Sequence, residues 1–277
     1  MTNGAKETFA AEVSQEDKQL NLFYAALLLA AHLSQNFETG LYVSVLREMV
    51  EIIRPAIRAA PTPLARVEGL NHYLFNELKF RGNQENYYHP HNSFLNKVLD
   101  LRRGLPISLS VIYLEMGWAL DLPLSGIGLP GHFIVAYDVV KEPIYIDVFN
   151  QGKLLTVEGC LALCQLPLSD LIPFQRDYLK PVSKKAILFR MLLNLKQIYV
   201  ALEDWERGYK TVDLMLQIYP DRAGEIRDRG LIAYRLEWLH AAIADVRQYL
   251  ALAPDSLDAS WLQQHLALME LKLGRLN

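Results

Sequence analysis

Two residues with acid–base chemistry, His132 and Asp147, lie in neighbouring predicted strands. His132 begins the stretch HFIVAYDVV (residues 132–140), and Asp147 lies within IYIDVF (residues 144–149). Both stretches are rich in β-branched and aromatic residues and are separated by Lys-Glu-Pro, which predicts adjacent antiparallel strands. A carboxylate that accepts a hydrogen bond from one ring nitrogen of a histidine leaves the other nitrogen to take a proton from a nucleophile. The order therefore predicts a His–Asp dyad, either catalytic or a structural pair that joins two strands.

The segment before these strands predicts a buried helix with a special N-terminus. Gly104 and Pro106 end a loop, and proline suits the first turn of a helix because its missing N–H has no helical partner there. Residues 107–120 are mostly apolar, and Asp121-Leu-Pro123 ends the helix. Leu129-Pro-Gly131 then predicts a turn. The chemistry-bearing stretch thus has the order helix, strand, strand.

This order resembles the core of the transglutaminase-like cysteine enzymes, in which a Cys begins the helix and a His and an Asp follow on two strands. Gly104-Leu-Pro106 falls on the Gly-x-Cys of that superfamily, so Pro106 occupies the nucleophile position, with His132 and Asp147 at the other two. More specifically, RRGLPISLSVIYL, GLPGHF and IDVFNQG resemble the bacterial SirB-type proteins, which couple such a domain to tetratricopeptide (TPR) repeats. The resemblance implies an α+β fold: a transglutaminase-like (cysteine-protease-like) domain with a helical layer and a small antiparallel sheet, followed by an all-α TPR-like domain.

A nucleophile would have to come from elsewhere, because Pro106 has no nucleophilic atom. Ser110 lies about one turn deeper on the same helix face and could approach the histidine, whereas Ser108 points away. We nevertheless expect Ser110 to hydrogen-bond its own backbone. Cys160 and Cys164, four residues apart, share a helix face and are expected to be inert buried thiols. A remnant dyad is therefore the favoured interpretation, with Ser110 as the displaced-nucleophile candidate.

The loop FRGNQENYYHPHN (residues 80–92) carries two histidines that could ligate a metal. Neither a paired set of cysteines nor a His-Glu-x-x-His helix accompanies them, so a loop at a pocket mouth is favoured and no metal is expected. Asn92 and Ser93 also predict a helix cap. No cofactor fingerprint is present, and no cofactor is expected. The candidate binding residues are His89, His91, Asn92, Arg103 and Asn150.

The second half of the chain contains a repeat. Tyr-Pro-Asp at residues 219–221 and Ala-Pro-Asp at 253–255 are offset by 34 residues (254 minus 220), the TPR period. Small residues fall at matching positions, which lets antiparallel helices approach closely, and residues 260–273 predict a closing helix. Helices predicted at residues 18–35, 41–60 and 64–78 form the helical layer of the first part. The predicted domains are residues 1–175, transglutaminase-like with N-terminal helices, and residues 182–277, TPR-like.

Composition narrows the class of partner. The net charge of −3 and pI of about 6.2 do not favour a nucleic-acid partner, whose usual footprint is a basic face. Two cysteines in 277 residues favour a reducing cytoplasm, and the apolar run at residues 20–33 is too short to span a membrane. We therefore predict a cytoplasmic, non-catalytic protein that binds a protein or peptide, with neither nucleic acid nor membrane as partner. The alternative is a hydrolase or acyltransferase that uses His132 and Asp147 with a displaced Ser or Cys.

Overall fold

The architecture was obtained as a computed structural model that describes residues 8–34, 37–138 and 143–276. The helices are α1 (Phe9–Val13), α2 (Leu22–Leu33), α3 (Thr39–Ala59), α4 (Pro63–Asn71), α5 (Leu95–Leu101), α6 (Pro106–Ala119), α7 (Val157–Leu163), α8 (Leu171–Tyr178), α9 (Lys184–Ala201), α10 (Trp205–Ile218), α11 (Ala223–Arg235), α12 (Leu239–Leu252) and α13 (Ala259–Leu276). The strands are β1 (Arg81–Gly82), β2 (Arg103–Gly104), β3 (Leu124–Leu129), β4 (His132–Tyr137), β5 (Ile144–Asp147) and β6 (Lys153–Leu155). The α+β class followed by a helical TPR region is confirmed.

The chain divides into two compact units. The first comprises Gln15–Met191, and the second combines the residues up to Ser14 with Leu192–Asn277. The boundary between the two units lies after residue 191, whereas the predicted second domain begins at residue 182. Helix α1 lies within the predicted first domain, but it packs against α10 in the second unit. Residues 1–7 of that domain lie outside the described residues.

The predicted helices of the first unit are present with shifted ends. Helix α2 begins four residues later than predicted, because the side chain of Asn21 accepts a hydrogen bond from the Tyr24 N–H (2.9 Å) and caps it. Its predicted end at Gln35 lies outside the described residues. The helix predicted to end at Leu78 is instead α4, continued by a π-helix over His72–Glu77. Pro55 lies within α3 and does not end it.

The sheet has the order β3-β4-β5-β6 and is antiparallel throughout. Strands β4 and β5 match the predicted pair, but β5 ends at Asp147 rather than Phe149, and residues 139–140 of the longer prediction lie outside the described part. Strands β3 and β6 were not predicted from the sequence. Two glycines weaken the strand pattern of β3, yet close packing requires Gly126, since a Cβ there would lie 2.8 Å from the ring of Phe133.

Helix α6 is the central element of the first unit and is buried on nearly all sides. It packs against β3 and β4, and Gly117 admits the side chain of Leu124, which a Cβ there would overlap. The carboxylate of Glu115 accepts a hydrogen bond from the Phe23 N–H (3.0 Å), which joins α6 to the start of α2. Since α6 begins at Pro106, directly after β2, its N-terminus is fixed by the β1–β2 pair.

The second unit consists of antiparallel helices at TPR spacing. The predicted small positions are buried in its core, including Ala233 and Ala242. Gly230 is required by close approach, because a Cβ would lie 2.9 Å from that of Asp245. The guanidinium of Arg229 pairs with Asp213 and Asp245, at 2.8 Å in each case. The closing helix is present as α13, longer than the predicted residues 260–273.

Candidate active site

The structure brings His132 and Asp147 together. His132 is the first residue of β4 and Asp147 the last of β5, and the antiparallel pairing of these strands places the His132 Nε2 atom 2.9 Å from the Asp147 Oδ1 atom. The Asp147 side chain is completely buried, and only 13% of the His132 side chain is exposed. The pair is thus a buried contact at the end of the sheet.

Asn150 holds the Asp147 carboxylate from the turn that follows β5. Its side-chain Nδ2 donates to the Asp147 Oδ2 atom (2.7 Å), and its backbone N–H donates to Oδ1 (3.3 Å). Burial alone would raise the pKa of Asp147, but the hydrogen bonds from His132 and Asn150 outweigh burial, and the pKa lies below its usual value. Since Asp147 is therefore ionised at neutral pH, the His132 Nε2 atom carries the proton and donates it, and the other ring nitrogen, Nδ1, is the one that could act as a base.

A row of aromatic rings leads from His132 to the surface. The His132 ring meets Phe149 edge-on with centroids 6.0 Å apart, Phe149 meets Tyr87 at 6.0 Å, and Tyr87 meets Tyr88 at 5.3 Å. Tyr88 is 78% exposed. Gly82 of β1 allows this arrangement, because a Cβ there would lie 2.5 Å from the Phe149 ring. We call Phe149, Tyr87 and Tyr88 the aromatic row.

The side chain of Asn92 is used inside the protein. Its Nδ2 donates to the carbonyl oxygens of Asn86 (2.7 Å) and Tyr87 (3.0 Å), and its Oδ1 accepts from the Nδ2 of Asn83 (2.9 Å). Asn92 does not cap the following helix, contrary to the sequence analysis: the N-cap of α5 is Phe94, which makes no side-chain cap bond. The amide instead holds the loop that carries the aromatic row.

His89 and His91 are exposed and adjacent, with ring centroids 4.5 Å apart. The Nδ1 atom of His89 accepts a hydrogen bond from the backbone N–H of His91 (3.2 Å). Partial burial of the His91 ring lowers the pKa of His91. Within residues 8–34, 37–138 and 143–276, no group of three or more His, Cys, Asp or Glu side chains is arranged to hold a metal ion. Arg103 pairs with Glu85 at the surface (3.1 Å).

The two serines of α6 have roles that differ from those predicted from the sequence. The Ser108 hydroxyl accepts from the Leu105 N–H (2.9 Å) and donates to the carbonyl of Asn92 (2.5 Å), so it fixes the start of the helix. Ser110 was expected to bond its own backbone, but its buried Oγ atom has no hydrogen-bond partner in the described part of the chain. Nor does Ser110 reach the His132 ring as a hydrogen-bond partner.

Both cysteines are free and lie on or just after α7. Cys160 is completely buried in the cluster that covers Ile134 and Ala136 of the sheet. Burial raises its pKa to about 12, with smaller contributions from Cys164 and the Asp147 charge. Burial also raises the pKa of Cys164. Such thiols stay protonated and unreactive at neutral pH. Among the residues that the structure describes, neither cysteine hydrogen-bonds to His132.

Comparison with known proteins agrees with this architecture. Residues 41–193 match the transglutaminase-like superfamily, and residues 195–267 match the tetratricopeptide repeat. A UPF0162 protein of Xylella fastidiosa (strain Temecula1) is 33% identical over 254 residues, 91% of this chain and 90% of the relative. The chain belongs to the UPF0162 family. A UPF0162 protein of Vibrio cholerae is 32% identical over 203 residues, 72% of this chain and 74% of the relative.

This UPF0162 chain is also similar to part of a eukaryotic protein. Human F-box only protein 21 is 32% identical over 168 residues, which cover 56% of this chain and 26% of that protein. No solved structure matches. The resemblance to a transglutaminase-like domain followed by TPR repeats, as in SirB-type proteins, is thereby confirmed. None of the described helices is both long and apolar enough to span a lipid bilayer.

Arg190 contacts the backbone of His132 and was not predicted from the sequence. Its Nη2 atom donates to the carbonyl oxygens of Leu129 (2.5 Å) and His132 (2.7 Å), and its guanidinium lies over the Phe133 ring, 5.8 Å from the centroid. Burial lowers its pKa. Arg190 therefore fixes the turn from which the His132 side chain projects. It lies 58 residues after the histidine on α9, so no local sequence pattern connects the two.

Proposed function

We propose that this chain is a non-catalytic, protein- or peptide-binding member of the transglutaminase-like superfamily. The observation that carries the proposal is the combination of Pro106 at the superfamily's thiol position with a His132–Asp147 pair whose carboxylate is fully hydrogen-bonded. A buried, satisfied pair of this kind stabilises the end of the sheet whether or not a nucleophile faces it. The TPR region supports a protein partner, since such repeats present extended binding surfaces.

The proposed contact surface of the first unit is the exposed end of the aromatic row with its neighbours. Tyr88, His89 and His91 are exposed, and Arg103, another of the predicted binding residues, is half-buried. Exposed aromatic side chains on a loop with fixed backbone are the usual anchors of protein interfaces. The amides of Asn92 and Asn150 support this surface from inside rather than contacting the ligand.

The proposal extends to the partner class and compartment. A net charge of −3 does not favour nucleic acid, and two free cysteines, one fully buried, fit a reducing cytoplasm. Neither a membrane nor a cofactor is part of the proposed function.

The alternative is a hydrolase or acyltransferase that uses His132 and Asp147 with a displaced nucleophile. Such a reaction needs a hydroxyl or thiol within hydrogen-bond reach of the histidine. Ser110 is completely buried within α6. Cys160 is also buried, with a raised pKa. Both observations weigh against the alternative.

The test is a selection of displayed peptides on the full chain, followed by calorimetric titration of the enriched peptides. Replacing Tyr88 with Ala should weaken binding about tenfold or more, the effect of removing an aromatic anchor. The matched control is Tyr178→Ala, which removes another partly exposed tyrosine (43%) of the same unit, and it should leave the affinity unchanged.

The same peptides distinguish binding from turnover. After prolonged incubation with the wild-type chain, mass spectrometry should recover them unmodified. Hydrolysis or acyl transfer that disappears in the His132→Ala variant would establish the alternative and overturn the proposal. Enriched peptides whose affinity is equal for wild type and Tyr88→Ala would remove the aromatic row from the binding surface.

A further inference from the structure

The second unit contains a cavity of about 350 Å³ between α9, the start of α10, and α11. We propose that this cavity receives one large apolar side chain of a partner peptide, and that a neighbouring carboxylate of the same peptide pairs with Arg235. The inference rests on the proposed function as a binding protein and adds a second site, formed only by residues of the second unit. It assigns the chemistry of the segment that is bound there.

Four apolar residues line the cavity beside the polar side chains of Lys196, Gln197, Asp228 and Arg235. Val200 from α9 is 40% exposed, Trp205 and Leu231 are half-buried, and Ile232 closes the base at 5% exposure. A volume of about 350 Å³ lies at the lower end of the range for ligand cavities, which suits a side chain rather than a cofactor. An accessible indole beside aliphatic side chains is the kind of pocket that anchors a partner's Leu or aromatic residue.

The charges at the rim determine which neighbour the apolar side chain should have. Lys196 is neutralised within the unit, because its Nζ atom lies 2.7 Å from the Asp228 carboxylate and 3.9 Å from that of Glu225. Arg235 is exposed, and its guanidinium lies over the Trp205 ring, 5.7 Å from the centroid. Among the residues described, no ion pair involves Arg235, so its charge is left for a ligand. The complementary group is a carboxylate.

The surroundings favour an extended ligand. Leu202, just after the end of α9, is 63% exposed, and Trp238, just after α11, is 45% exposed. Scattered exposed apolar residues are common, but Leu202 and Trp238 follow the ends of α9 and α11, two of the helices that line the cavity. A peptide anchored in the cavity can continue over them, whereas a small apolar metabolite would leave them uncovered.

The experiment uses the full chain labelled with 5-fluorotryptophan and followed by ¹⁹F NMR. The chain has four tryptophans, and the Trp205→Phe variant identifies the resonance of the cavity. The probes are three capped dipeptides: acetyl-Leu-Glu-amide, acetyl-Leu-Gln-amide and acetyl-Ala-Glu-amide. The first should shift the Trp205 resonance saturably. The other two should bind about threefold to fivefold more weakly, since an exposed ion pair contributes up to ~1 kcal/mol and a smaller side chain fills less of the cavity.

A variant pair assigns the carboxylate contact. In Arg235→Gln, the Glu and Gln probes should bind equally, because the cation that discriminates them is gone. Arg58→Gln, which removes an exposed arginine on α3 of the first unit, should keep the discrimination of the wild type. The inference is overturned if no probe moves the Trp205 resonance, or if the wild type binds the Glu and Gln probes equally.

Failure here and failure of the proposed function are separable. A chain that binds displayed peptides in a Tyr88-dependent way, yet shows no Trp205 response, retains the proposed function and loses only this inference. Turnover of the displayed peptides that depends on His132 overturns the proposed function, whatever the Trp205 resonance does.

Discussion

Replacing His132 with Ala tests whether the His132–Asp147 pair is a structural remnant. If the pair holds two strands together, its loss must destabilise the first unit. If the histidine is instead a working base, the substitution should abolish an activity and leave the melting temperature nearly unchanged. The two interpretations therefore predict different melting temperatures for the variant.

The magnitude follows from the contacts of Asp147. The substitution removes the 2.9 Å hydrogen bond from His132 to a carboxylate that is completely buried. Leaving a buried acceptor without its hydrogen-bond partner costs about 1–3 kcal/mol, and more when the acceptor is a charged carboxylate. Asn150 still donates two hydrogen bonds, so we expect the free energy of unfolding to fall by about 3 kcal/mol. For a unit of this size, that corresponds to a melting temperature lower by roughly 6–12 °C.

The pH dependence has a definite sign. The pKa of Asp147 is lowered in the folded chain, so its ionised form contributes stability above the unfolded pKa of about 3.9, and this contribution is lost as the pH falls through the folded value. Burial raises the pKa of Asp147 and hydrogen bonds lower it, so the pKa rises when the hydrogen bond from His132 is lost. The stability difference between wild type and variant should therefore be largest near neutral pH and shrink in acid.

The assay is differential scanning calorimetry between about pH 2 and about pH 8, because the contribution of Asp147 is lost only below its unfolded pKa of about 3.9. The matched control is His72→Ala, because His72 faces Glu77 at 3.5 Å but is 67% exposed and contributes little. A His132→Ala melting temperature within about 1 °C of this control would refute the structural interpretation, since about 0.5 kcal/mol would then be the upper limit for the pair.

Three further predictions follow from single contacts. Ser108→Ala should lower the free energy of unfolding by about 1–2 kcal/mol, because it removes both hydrogen bonds of the hydroxyl and leaves the Leu105 N–H and the Asn92 carbonyl with only their mutual bond of 3.3 Å. Ser110→Ala should change it by less than about 0.5 kcal/mol in urea titrations, and the reverse order would refute the assigned roles. Ellman's reagent should label Cys160 at pH 8 only after denaturation, and rapid labelling of the native chain would contradict its burial and pKa of about 12. Gly82→Ala should cost about 1–3 kcal/mol by crowding the Phe149 ring, which lies 2.5 Å from the added Cβ. Gly40→Ala should not destabilise, because no atom of the described residues lies within 4 Å of the added Cβ, and equal melting temperatures of the two variants would show that the ring can move aside.

The sequence predicted the site as far as local patterns reach. His132 and Asp147 lie on consecutive strands joined by a short connection, so alternating, β-branched stretches were sufficient to place them side by side. The start of α6 at Pro106 followed from the conformational preference of proline, and the 34-residue offset predicted the helical repeats. Each of these inferences depends on residues close together in the chain or at a fixed period.

The remaining features were decided by tertiary packing. Ser108 rather than Ser110 bonds the backbone because its partner, the carbonyl of Asn92, comes from a loop sixteen residues earlier. Arg190 reaches the backbone of His132 from a helix 58 residues later. Cys160 is unreactive because a sheet face covers it, although its residue type allowed either role. Hydrogen-bond partners and burial depend on which distant segments meet, and periodicity along the chain carries no information about those meetings.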